Sequence, residues 1–205
     1  MDEEFVSIKD PIIDGATRMR QSLISGLLDA VRVNFNHQNK NVRLFELGKV
    51  FAKTSTEDGL PLEKELLTIV LSGKEAFEQK ALASKPLDFY DLKGAVDVSL
   101  DAIKLPNLEY APKDSRHLQS GQSAEVSFNG NPVGTLGKLD SKVASKYKFK
   151  QDVFVAEIDL QTLLENAEKP ALYAPLPIYP SMNRDVSFLT KRSLSFDDIR
   201  NEIRS

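Results

Sequence analysis

Residues 19–51 read MRQSLISGLLDAVRVNFNHQNKNVRLFELGKVF. Leu23, Leu27, Val31 and Phe35 recur at every fourth position with Ile24 and Leu28 beside them, a spacing that draws an apolar stripe down one face of a helix over 23–35. That stripe must be buried. Asn34, Asn36, His37, Gln38, Asn39, Lys40 and Asn41 crowd into a polar stretch of high turn propensity, so the helix stops near Phe35 and the chain reverses. From 42 to 51 both alternating sets are largely apolar, Val42, Leu44 and Val50 on one side and Phe45, Leu47 and Phe51 on the other. This predicts a strand covered on both faces. Gly48 inside it marks a bulge or the close approach of another backbone.

The rest of the chain continues in the same mixed style. A polar hairpin-like loop over 53–64 carries Asp58-Gly59 and Pro61, and a second strand runs over 66–71. Residues 75–85 are helical or irregular. Asp91 caps a helix with Leu92, Val96 and Leu100 inward. Strands 124–128 and 133–136 flank an Asn129-Gly130-Asn131 turn, and a strand over 153–158 leads into a short helix over 160–165 with Asp159 as its cap. Four of the ten prolines fall in 170–180, which predicts an extended, semi-rigid linker. Beyond it a strand over 185–190 and a helix capped by Ser195, carrying Phe196, Ile199 and Ile203, are too short to bury a core of their own.

The totals bound the function. With 205 residues, 41% of them hydrophobic, the chain suits one large domain or one domain plus a fragment. No cysteine is present, which excludes a disulfide framework, a thiol nucleophile and thiolate metal sites, and suits a reducing cytoplasm. The first ten residues are acidic without an apolar core, and no stretch approaches the roughly 20 apolar residues a membrane helix needs. A soluble, cytoplasmic chain without a membrane partner is expected. A net charge of −3 argues against a general nucleic-acid coat. Basic residues cluster at Lys138, Lys142, Lys146, Lys148 and Lys150, and again at Arg184, Lys191, Arg192, Arg200 and Arg204; both runs are expected to be solvated faces.

Five segments, in order, resemble the β subunit of bacterial phenylalanyl-tRNA synthetase: VSIKDP with MRQSLISGLLDAV, VRLFELGKVF, DFYDLKGAVDVSL, GQSAEV with GTLGKLD, and YPSMNRDVSFLTKRSLSFDDIRNEIR. The resemblance implies an α+β class II aminoacyl-tRNA synthetase-like antiparallel sheet flanked by helices, followed by a truncated ferredoxin-like segment. In those terms residues 1–169 are a catalytic-like domain, 170–180 the linker, and 181–205 the first strand and helix of an anticodon-binding domain. Two positions depart from the family pattern: Ser25 stands where proline is usual, and an arginine usual near Gln122 is missing.

Class II chemistry activates an amino acid with ATP and needs cationic side chains and magnesium against the phosphates. One family arginine follows the strand pattern G-[RK]-V-[FY]-R, but here Gly48-Lys-Val-Phe51 is followed by Ala52. Lys53 is the nearest replacement, yet successive strand residues face opposite ways and lysine lacks the guanidinium fork. The other arginine belongs to a glycine-rich motif, and no glycine follows Gly137. The residues therefore predict no catalytic residue, no cofactor site and no metal site in this chain; ATP and magnesium are implied only for the holoenzyme. His37 and His117 each lack a second histidine at ligand spacing, Asp88 with Asp91 is a cap and a solvated acid, and 134–137 lacks the spacing of a phosphate loop.

The resemblance then implies a non-catalytic structural domain that docks on the catalytic α subunit in an (αβ)2 assembly and supports aminoacylation of tRNA(Phe). Leu27, Val31 and Phe35 are the partner-interface candidates, and Arg184, Lys191 and Arg192 the RNA-proximal ones. The alternative is a stand-alone class II-like ligase that activates a carboxylate with ATP through an unusual cation such as Lys53.

Overall fold

Polar turns and apolar alternation lay the chain out as one antiparallel sheet with helices on both faces. The computed structural model describes residues 5–55, 60–75, 84–101, 108–165, 180, 182–191, 193, 194 and 196–204. The chain divides into two units, Met1–Pro170 and Ala171–Ser205.

In the first unit, α1 (Ile24–Asn36) ends in a tight turn where Gln38 takes φ 62°, and β1 (Val42–Ser55) follows. β1 pairs antiparallel with β2 (Pro61–Ser72), Val42 opposite Ser72 and Ala52 opposite Leu62, with a register irregularity between Ala52 and Ser55. Both strands are longer than the sequence patterns predict, because the polar residues at 53–55 and 61–65 continue the ladder. After α2 (Phe89–Asp101), β3 (Glu109–Pro112), β4 (Leu118–Phe128) and β5 (Asn131–Leu139) form a meander. The β4–β5 turn is tight: Phe128 pairs with Asn131, and Asn129 and Gly130 have φ of 50° and 76°, the doubly positive signature of a type I′ hairpin. α3 (Ser141–Lys146), β6 (Val153–Asp159) and α4 (Leu160–Glu165) complete the unit. The sheet order is β1-β2-β6-β5-β4-β3.

Each face of the sheet has its own core. α2 and α4 cover Leu67, Ile69, Leu136, Phe154, Ala156 and Ile158 with Leu92, Val96, Leu100 and Leu163. α1 and α3 cover Val42, Val70, Val153 and Val155 with Leu27, Leu28 and Val31.

Several sequence expectations need correction. β1 is an edge strand, and its second face is open: Phe45 is 70% and Leu47 55% exposed. An apolar set on each side of a strand does not say whether a neighbour supplies the cover. Asp88 rather than Asp91 caps α2, since its Oδ1 accepts from the N–H groups of Tyr90 and Asp91; Asp91 reciprocates by accepting from Asp88 N at 2.7 Å. β3, α3 and the first half of β4 were not expected from the sequence. In the second unit, 182–191 holds no strand, since among the described residues it has no ladder partner. There the last helix, α5 (Phe196–Arg204), shares a hollow with Phe188 and Leu194. Most of the expected linker and Ser195 lie outside the described residues, as does most of 75–85, whose ends are tied by Glu75 N donating to Lys85 O.

Candidate functional site

The residues that matter lie on the α1 face, where β1, β2 and β6 run side by side. Register sets Glu46 opposite Thr68, Thr68 opposite Glu157, Glu157 opposite Thr135, and Thr135 opposite Glu125. One polar rung therefore crosses five strands on a face whose buried core is largely valine and leucine. A carboxylate at such a place needs donors.

Glu157 finds three. Its Oε1 accepts from Ser22 Oγ at 2.9 Å, from the backbone N–H of Leu23 at 2.9 Å and from Thr68 Oγ1 at 3.1 Å. A β6 side chain thus takes up a backbone donor at the mouth of α1, a place where charge from the sheet opposes the helix dipole. Ser22 Oγ in turn accepts from Ile24 N at 3.1 Å. Leu23, fully buried, then drops between Val50 and Leu66 as a small separate core.

Arg20 closes the same site from the sheet edge. Its Nη1 lies 2.7 Å from Glu46 Oε1, its Nε donates to Lys49 O at 2.9 Å, and its own carbonyl accepts from Phe51 N at 2.8 Å. Gly48 permits this: a Cβ there would stand 2.6 Å from Arg20 Nη2. The close approach expected at Gly48 is real, but a guanidinium makes it rather than another backbone.

Ala52 lies two residues past Val50 on this strand, and Lys53 after it is exposed. On this face Arg20 is matched by Glu46, Leu23 is buried against Val50 and Leu66, and Glu46 and Glu157 place two carboxylates. A phosphate brought to this rung would meet two carboxylates and a guanidinium already paired. Among the described residues no group of three or more His, Cys, Asp or Glu side chains is placed to hold a metal ion. His37 and His117 are both exposed. Gly134 and Gly137 sit within β5, where a Cβ would strike the backbone of β6 and β4 respectively.

Asp159 ends the site's strand. Burial raises its carboxyl pKa, but the Lys64 ammonium at 2.7 Å and the Thr162 N–H and hydroxyl outweigh that and hold it below the ordinary carboxylate range. It caps α4 as expected, since Thr162 N donates to Oδ1 at 2.9 Å.

The partner-interface candidates are turned inward. Leu27 and Val31 are 6% and 0% exposed, and Phe35 is half-buried with its ring edge-on to Phe149, centroids 5.3 Å apart. The open apolar surface lies on the opposite face, where Phe45 and Leu47 border a groove of about 510 Å³ with Leu67, Ile69, Ala95 and Leu160. Arg184 and Lys191 are exposed in the second unit, and Arg192 lies outside the described residues. The network of Arg20, Glu46 and Glu157 escaped the sequence analysis. The available signal for Glu157 was a carboxylate inside the otherwise apolar VFVAEI, just ahead of the Asp159 cap.

A family model described as the phenylalanyl tRNA synthetase beta chain CLM domain matches residues 1–160. The phenylalanine–tRNA ligase beta subunit of Syntrophotalea carbinolica is 34% identical over 197 residues, 96% of this chain and 24% of that protein. The corresponding subunits of Bacillus subtilis and Clostridium acetobutylicum are 30% identical over 95% of the chain and 28% over 97%, again across 24% of each relative. The chain thus spans about a quarter of the length of the curated relatives it matches. Among solved structures, pyrrolysyl-tRNA synthetase from Desulfitobacterium hafniense superimposes with a TM-score of 0.57 at 18% identity, covering 80% of this chain and 52% of that one. That likeness shows the fold alone: an antiparallel sheet braced by helices, resembling a class II tRNA synthetase catalytic domain.

Proposed function

The chain belongs to the phenylalanyl-tRNA synthetase beta chain family, and from that membership we propose that it is a non-catalytic structural domain of the β subunit. The observation that carries the proposal is the match of residues 1–160 to the beta chain family model, with Ala52 standing where an arginine would be needed. Its role is to support assembly with the catalytic α subunit in an (αβ)2 cytoplasmic enzyme that uses ATP and magnesium to aminoacylate tRNA(Phe). No helix among the described residues is long and apolar enough to cross a membrane.

In this proposal residues 1–169 are the class II catalytic-like domain, 170–180 the linker, and 181–205 the opening segment of a ferredoxin-fold anticodon-binding domain, in which α5 is formed and 185–190 becomes a strand only against the strands of the rest of that domain. Arg184, Lys191 and Arg192 lie near tRNA only when the rest of that domain is present. Since α1 turns Leu27, Val31 and Phe35 inward, the α subunit takes the uncovered side of β1 instead, at Phe45 and Leu47. Exposed apolar area beside an apolar groove marks interaction surface.

Co-sedimentation of the chain with the catalytic α subunit tests this. A complex that is lost in the Phe45→Asp/Leu47→Asp variant, whose own melting is unchanged, is the expected result; no complex with the unaltered chain refutes the assembly role. The stand-alone ligase alternative finds no support in relatives named as a β subunit. Amino-acid-dependent pyrophosphate exchange by the isolated chain, abolished by Lys53→Ala, would revive it.

A further inference from the structure

We propose that the surface formed by α3, the loop after it and the end of α1 binds the phosphate backbone of RNA. The sequence here alternates Lys146, Tyr147, Lys148, Phe149, Lys150. The structure gives the alternation a direction: the two rings pack inward against the α1-face core, and all three lysines are exposed. Tyr147 stacks on Phe149 at 5.3 Å, and Phe149 meets Phe35 at the same centroid distance, so the loop that carries the lysines is fastened by aromatic packing. Lys142 lies one turn before Lys146 on α3 and is also exposed. Gln151 ties the loop's far end to the α1–β1 turn, its Nε2 donating to Lys40 O at 2.6 Å and to Ser72 Oγ at 2.8 Å. That brings a fifth exposed lysine, Lys40, to the patch.

The nearby acids do not neutralise these cations. Asp29 pairs with Arg32 at 2.8 Å, Asp152 pairs with Lys138 at 2.9 Å, and Asp140 caps α3 by accepting from Lys142 N. None of the ion pairs among the described residues involves Lys40, Lys142, Lys146, Lys148 or Lys150. Lys148 also holds φ at 60°, a left-handed conformation that a lysine adopts at some cost, and its side chain is exposed. On a chain of net charge −3, five unmatched lysines on one rigid corner are a local concentration of positive charge.

Lysines are point charges suited to phosphate rather than to reading bases. Arg32 at the border is already held by Asp29 at 2.8 Å and lies over the Tyr147 ring at 6.0 Å, which leaves the lysines to supply the patch's charge. This surface lies in the first unit and is distinct from Arg184 and Lys191.

The test is fluorescence anisotropy of a labelled tRNA(Phe) transcript titrated with the 205-residue chain from 50 to 200 mM KCl. Four to five phosphate contacts predict roughly a hundredfold loss of affinity across that range, with each lysine removed reducing the logarithmic salt slope by about 0.7–0.9. The Lys142→Ala/Lys146→Ala/Lys148→Ala/Lys150→Ala variant, checked for unchanged melting, is expected to flatten the slope by about three. Arg184→Ala/Lys191→Ala is expected to leave it unchanged. An unaltered slope in the lysine variant overturns the proposal, as does poly-L-glutamate binding as tightly as the transcript, which would assign the patch to an acidic protein. The proposal rests on the β-subunit membership only for the choice of RNA. Co-sedimentation with the α subunit reports separately on the assembly role, and the lysine variant is expected to leave it intact.

Discussion

Replacing Glu157 by alanine leaves three donors facing a hole: the Ser22 and Thr68 hydroxyls and the Leu23 N–H. A hydrogen bond to a charged acceptor contributes about 1.5–3 kcal/mol net, and an orphaned donor carries its desolvation penalty. The two hydroxyls rotate to other acceptors, so their loss is partial. The Leu23 amide is held by the backbone at a fully buried residue and has no such freedom. Glu157→Ala should therefore destabilise the chain by about 2–4 kcal/mol, and Glu157→Gln, which keeps one acceptor oxygen, by about 1 kcal/mol. Urea unfolding followed by tyrosine fluorescence reads both, with an unchanged m-value showing that the unfolded reference is the same. In a Thr68→Val background the alanine substitution should be milder, because one of the three donors is already gone. An alanine variant within about 0.5 kcal/mol of the parent, the scatter of an ordinary surface substitution, would refute the reasoning. So would glutamine proving as damaging as alanine.

Three other expectations follow from the same geometry. Ala52→Arg, which restores the family's missing guanidinium, should still give no calorimetric ATP binding, because the glycine-rich motif that would carry the second arginine is also missing, with no glycine after Gly137; micromolar binding would show that one residue alone was lacking. Asp159→Asn tests linkage: the folded carboxyl lies below its unfolded value of about 3.9, so its contribution is fully present above that pH and disappears as pH falls through the folded pKa. The stability gap between parent and variant should be flat near neutrality and narrow below about pH 4 in acid-dependent urea melts, and a gap widening in acid would reverse the sign. Gly134→Ala should destabilise by about 3 kcal/mol, since the new methyl would lie 2.4 Å from Glu157 O and must push β5 off β6; a thermal melt within two degrees of the parent would contradict it.

Much of the fold was legible because it is written in local patterns. The fourfold spacing of Leu23 to Phe35 announced α1, Asn129-Gly130 announced the tight hairpin, and VFVAEID running into Asp159 announced β6 and α4. The missed elements are those without a period: α3 has six residues, too few to draw a stripe, and β4 begins in the polar LQSGQS. The edge position of β1 was invisible for a different reason. A two-sided apolar strand reads the same whether the protein covers both faces or leaves Phe45 and Leu47 open. The loss of the cationic anchor at Ala52 was plain in the chain. The Arg20–Glu46 pair and the donors around Glu157 were not, since they come together only through the fold and the register of β1, β2 and β6.

The sheet order gives β6 a consequence for synthesis. Among the described residues it comes after the other five strands of this sheet in chain order, yet it lies third, joining the β1–β2 hairpin on one side to the β3–β5 meander on the other. Until it emerges from the ribosome the two halves share no ladder, and Leu23 waits 134 residues for the side chain that receives its amide. Such long-range closure slows folding and leaves unfinished edges exposed in the meantime. A nascent chain stalled before Val153 is therefore two loose ribbons, a substrate for chaperones, and α1 becomes permanent only when β6 arrives.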